Sequence, residues 1–69
     1  MEETFGERLK EARKAKNYSQ EKLGNAIGVT RTQVTNYEKG ISTPSYDKLK
    51  LLCIILDVSS DWLIGISKS

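Results

Sequence analysis

The chain has 69 residues, 11 Lys and Arg against 9 Asp and Glu for a net charge of +2, one cysteine and no histidine. A chain this short supports one hydrophobic core, so a single domain over residues 1–69 is expected. One cysteine excludes a disulfide framework, and the lack of histidine argues against a metal site. No apolar run is long enough for a membrane span or a signal core, so a reducing, cytoplasmic setting is expected, with no membrane contact.

Residues 1–3 read as a loose tail. Thr4 to Glu7 has the form T-x-x-E, a capping box that opens a helix lasting to about residue 16, with Phe5, Leu9 and Ala12 on one face. Arg13 borders that face. Asn17 and Tyr18 make the connection, with Tyr18 packing under residues 20–39. Ser19 caps a second helix over residues 20–27, whose Leu23, Ala26 and Ile27 are expected to face inward. Gly24 fits a close helix crossing, and Gly28 can take the positive φ that ends a helix. After the apolar turn residue Val29, Thr30 to Gln33 reads T-x-x-Q, a capping box that restarts the helix. Helix, glycine turn and capped helix within residues 20–39 make a helix-turn-helix, a DNA-binding motif.

The second helix of that motif has a telling polar face. With about 100° per residue and Arg31 at zero, Val34 and Tyr37 fall near 300° and 240° as a narrow apolar stripe. Arg31, Thr35, Lys39, Thr32 and Asn36 fan out from 0° to about 140°, opposite the stripe, and Gln33 lies at the margin near 200°. Arg, Lys, Thr and Asn together offer donors for phosphate and mixed hydrogen-bonding groups for base edges. A merely solvated surface is the alternative for such a face. Charge distribution favours nucleic acid. Residues 8–39 hold eight Lys and Arg against three Glu, while the rest of the chain holds three basic against six acidic residues.

Beyond the motif, Gly40 ends the helix and residues 41–44 form a loop, where Ser42, Thr43 and the backbone N–H groups are candidate phosphate contacts. Ser45 caps a fourth helix through about residue 56, with Leu49, Leu52, Cys53 and Leu56 as core. Cys53 then reads as a small buried hydrophobe, not a nucleophile or ligand. Leu51 and Ile54 lie opposite the core face, near Ile55, and are expected to be exposed. Asp57 and Val58 break the pattern, Ser59 caps again, and Trp62 and Leu63 anchor a short fifth helix before Gly65. Residues 66–69 read as frayed. Without histidine, a paired-carboxylate cleft or a phosphate-cradling glycine loop, no catalytic set can be assembled, and no cofactor is expected.

The segments S-Q-E-K-L-G, Y-E-K-G, T-P-S and D-V-S-S-D-W-L, in that order, make residues 5–65 resemble the lambda repressor and Cro group, the Xre-like helix-turn-helix regulators. The resemblance implies an all-α fold, a compact five-helix bundle with its core over about residues 4–65. It also implies a sequence-specific regulator of transcription that places its third helix in the major groove of double-stranded DNA. Repression by occupying an operator is the default, and activation stays open. A homodimer would bind two half-sites about 34 Å apart in a two-fold symmetric operator. Gln20 matches a family residue that contacts phosphate and braces the recognition helix. Arg13 and Glu38 match a family ion pair between two helices. Arg31 is the candidate for a bidentate contact to guanine, Asn36 for adenine, and Thr32 or Thr35 for a thymine methyl group. Gln33 is a marginal candidate because capping competes for it, and Lys39 is assigned to the DNA backbone.

The family dimerises through its C-terminal helix, here residues 62–66, which makes Trp62, Ile64 and Ile66 the expected dimer surface. Leu51 and Ile54 stand where relatives more often carry polar residues, so they extend that surface or form a separate partner site. Gly24 stands where relatives commonly carry alanine, and Gly24→Ala is expected to stabilise by about 1 kcal/mol of helix propensity. The alternative function is a protein-interaction module on the same fold, such as the antitoxin half of a toxin–antitoxin pair. Whether the chain is complete or part of a longer repressor stays open.

Overall fold

Five hydroxyl side chains set where the helices begin. In the computed structural model, which describes residues 4–65, Thr4, Ser19, Thr30, Ser45 and Ser59 each accept a hydrogen bond from the backbone N–H three residues on. The helices they open are α1 (Phe5–Ala15), α2 (Gln20–Ile27), α3 (Arg31–Lys39), α4 (Tyr46–Leu56) and α5 (Ser60–Ile64). At Thr4 the capping box is complete, because the Glu7 carboxylate also accepts from the Thr4 N–H at 3.0 Å. At Thr30 only half of the expected box forms. The Gln33 N–H reaches Thr30 Oγ1 at 3.1 Å, but no return bond from the Gln33 side chain is made.

The helix ends are as specific as the starts. Gly28 has φ +82°, a conformation costly for any residue with a Cβ, and it turns the chain from α2 into α3. Asn17 and Asp57 occupy the same left-handed region after α1 and α4.

Around these termini the helices close on one core of Leu9, Ala12, Leu23, Ile27, Val34, Tyr37, Leu52, Leu56 and Leu63. Phe5, Tyr18, Val29, Leu49, Cys53, Ile55, Val58 and Trp62 pack against it. In space α2 and α3 lie together, α1 crosses α3, α4 covers α2, and α5 packs on α1 and α4. The described residues contain helices and loops with no strand, as expected for an all-α bundle.

Two expectations need correction. Ala26 is exposed rather than inward-facing. The buried arc of α2 runs from Leu23 through Ile27 to Gly24, and Ala26 lies about 110° from its centre. Gly24 is a close approach, but to the motif's own turn and not to a crossing helix. A Cβ there would stand 2.7 Å from the Val29 carbonyl oxygen, so Gly24→Ala loses more in overlap than it gains in propensity. Ile55, next to the exposed Ile54, packs against the core. The expected tails and the dimer candidate Ile66 lie outside the described residues.

Candidate nucleic-acid interface

Helix α3 rests on a partly buried polar chain that starts at Arg13. Its Nε donates to Glu38 Oε2 at 2.6 Å and its Nη2 to Oε1 at 3.3 Å, with side-chain exposures of 10% and 5%. The third guanidinium nitrogen, Nη1, donates to the Tyr18 carbonyl at 2.9 Å. Gln20 continues the chain, its Nε2 donating to Glu38 Oε1 at 3.0 Å. Its Oε1 accepts from the Thr35 hydroxyl at 3.1 Å, and that hydroxyl is shared with the Arg31 carbonyl at the same distance. Side chains from α1, α2 and α3 are thereby linked, with Gln20 of α2 bonded to both Glu38 and Thr35 of α3.

Sequence reasoning missed what makes this arrangement possible. A Cβ on Gly6 would fall well inside contact distance of the Glu38 and Tyr37 carbonyl groups, so α1 meets the end of α3 backbone to backbone. The only local signal was a glycine inside an otherwise good helix. Arg8 was also missed. Its Nη1 donates to the Trp62 carbonyl and its guanidinium sits over the Trp62 ring, 5.6 Å from the centroid, tying α5 to α1.

On the outer side of α3, Arg31, Thr32, Gln33 and Lys39 are exposed, while Thr35 and Asn36 are half-buried. Among the described residues the side chains of Arg31, Thr32, Gln33 and Asn36 make no hydrogen bond, whereas the Thr35 hydroxyl is committed to Gln20 and Arg31. Gln33 is therefore not held in a cap and stays available. The Asn36 carbonyl accepts from the Ile41 and Ser42 N–H groups at 2.9 and 3.4 Å, which folds the loop after α3 back against the helix. Within that loop Thr43 is exposed, but the Ser42 hydroxyl is enclosed and has no hydrogen-bond partner among the described residues.

The remaining candidates lie elsewhere. On α4, Ile54 is 71% and Leu51 37% exposed, and Ile64 of α5 is 40% exposed. Trp62 is half-buried against the core. A shallow depression of about 300 Å³ beside Ile54 is lined by Tyr46, Leu49, Lys50, Cys53 and Ser60. Cys53 is a free thiol whose pKa is raised by burial, which keeps it protonated and weakly nucleophilic near neutrality. The described residues contain no group of His, Cys, Asp and Glu able to hold a metal ion, and no helix long and apolar enough to cross a membrane.

The helix-turn-helix family model HTH_3 matches residues 9–63. The SPbeta prophage-derived HTH-type transcriptional regulator YonR of Bacillus subtilis strain 168 is 43% identical over 60 residues, covering 87% of this chain and 56% of YonR. The chain spans about half the length of the curated relatives it matches. Among solved structures, the P22 c2 repressor in complex with a synthetic operator superposes with a TM-score of 0.89 at 27% identity, covering 96% of this chain and all of that one. SinR, described as a master regulator for biofilm formation and solved in complex with DNA, superposes with a TM-score of 0.79 at 34% identity over 87% of this chain and 97% of that one.

Proposed function

Because the chain belongs to the lambda repressor-like, Xre-type family of helix-turn-helix DNA-binding domains, we propose that it binds double-stranded DNA sequence-specifically and regulates transcription, by default as a repressor. The observation that carries this reading is the uncommitted face of α3. The side chains of Arg31, Thr32, Gln33 and Asn36 make no hydrogen bond among the described residues, while the helix beneath them is clamped by the side chains of Gln20, Glu38 and Arg13. Free polar groups on a rigid support are what base readout requires.

In this reading α3 enters the major groove with its N-terminal half foremost. Arg31 pairs with guanine and Asn36 with adenine. Thr35, whose hydroxyl proton is spent internally, offers its methyl group to thymine, and Thr32 is the second candidate for that contact. Gln33 is an additional base contact, since capping does not occupy it. Lys39 and the second Nε2 proton of Gln20 serve phosphate, as do Thr43 and the loop N–H groups. Ser42 joins them only through its backbone, because its hydroxyl is enclosed. The protein works in the cytoplasm, as a homodimer that joins two half-sites through the α5 end, with Trp62 and Ile64 as its described part.

A second surface is favoured by one observation. Ile54 and Leu51 leave α4 with exposed apolar side chains, Ile54 at the edge of a depression, which suits a protein partner or an extension of the dimer contact. Selection of random duplex DNA by the purified protein at about 0.1–0.2 M salt tests the main reading. Enrichment of a two-fold symmetric site is the expected result. A single half-site would remove the dimer from the proposal, and enrichment of nothing would remove specific DNA binding.

A further inference from the structure

Helix α2 has no basic residue in its last turn. The carbonyls that end a helix carry partial negative charge and lack intrahelical partners, so this end of α2 wants a cation from elsewhere. Lys48 of α4 supplies it. Its Nζ donates to the Ile27 carbonyl at 2.9 Å, on the last residue of the helix. The contact sits at the corner of the motif, since a Cβ built on the turn residue Gly28 would stand 3.2 Å from the same nitrogen. Among the described residues this is the one hydrogen bond that joins α4 to residues 20–39.

The motif is otherwise held at its opposite end. Gln20, at the start of α2, is tied to Thr35 and Glu38 in the later part of α3. That network fixes the pair of helices near one end; at the corner the Gly28 and Val29 N–H groups both donate to the Gly24 carbonyl at 2.8 Å, and Lys48 adds the hydrogen bond that reaches the corner from outside the motif. We propose that Lys48 is a positioning residue for DNA recognition, holding the C-terminus of α2 so that α3 leaves the turn at the angle base readout needs. This rests on the reading of α3 as the recognition helix.

The two forms of DNA binding respond differently to such a residue. Bidentate base contacts tolerate little displacement, whereas non-specific binding is held by phosphates and accepts many orientations. Lys48 keeps its charge and two further N–H donors, so a phosphate contact is the competing role, and the salt slope separates the two.

The test compares the wild-type 69-residue chain with K48M and K48R on a selected duplex and a scrambled duplex. Fluorescence anisotropy is read across a salt series, at a temperature where circular dichroism shows all three proteins folded. Methionine keeps the aliphatic stem and loses the donor, and arginine keeps a donor. The expected result for K48M is about a 3–10-fold loss on the selected duplex, the scale of one lost hydrogen bond, with the scrambled duplex and the salt slope unchanged. K48R should restore most of the loss. Equal affinity of K48M and wild type for the selected duplex, even with a lowered melting temperature, would overturn the proposal. So would an equal loss on both duplexes with a salt slope smaller by about one, the mark of an ordinary phosphate contact. Wild-type protein that fails to distinguish the duplexes would instead overturn the recognition reading, and this proposal with it.

Discussion

Glu38 answers to two residues from different helices, which makes it the most exacting single position in the motif. Both of its oxygens are occupied, by Arg13 and by Gln20, and 5% of its side chain is exposed. Removing one partner strands a buried charge, whereas removing both does not. Arg13→Met is therefore expected to cost about 3–5 kcal/mol in urea unfolding, and Arg13→Met/Glu38→Leu substantially less. A double variant no better than the single one would mean that the pair is not the source of the loss. On the outer face, Arg31 and Lys39 are both exposed cations, but they are assigned different targets. Lys39→Ala should weaken binding to all sequences alike and lower the salt slope by about one. A loss confined to particular base pairs would contradict the backbone role given to Lys39.

The elements themselves were largely legible in the sequence, because their limits are set by local chemistry. Ser and Thr caps, the glycine at residue 28 and the breaks at Gly40 and Asp57 act through residues within four positions. The polar face of α3 was legible for the same reason, as helical periodicity alone separates it from Val34 and Tyr37. The features that escaped are long-range. Nothing near Gly6 announces the backbone of α3, and Lys48 meets a carbonyl 21 residues away. Ala26 was misjudged because a two-turn helix has room for one narrow stripe, and Gly24 pulled that stripe to the other side. Two substitutions check this view of the crossings. Gly6→Ala should destabilise by at least about 1–3 kcal/mol, because two backbone carbonyl groups must move. Gly24→Ala should also destabilise, but by less, since its overlap is milder. Denaturant midpoints that rise for either variant would mean that the helices separate more easily than their close packing implies.

At the scale of the molecule, charge and apolar surface are divided between two regions. The stretch from Arg8 to Lys39 holds eight of the eleven basic residues, and the described apolar exposure of α4 and α5 lies after it. One region suits a polyanion and the other suits protein. Leu51→Lys/Ile54→Lys should accordingly leave duplex affinity per bound protomer unchanged while lowering self-association in sedimentation velocity. Unchanged association would remove α4 from the self-contact and leave it to another partner. The central claim concerns α3, and it is tested most directly by running the random-duplex selection in parallel for wild type and Arg31→Ala. The expected outcome is one shared site in which a single position per half-site loses its preference, equivalent to about 1–3 kcal/mol at that base pair. If both proteins enrich the same site with every position intact, Arg31 does not read a base, and the assignment of α3's N-terminal face as the reading surface is wrong.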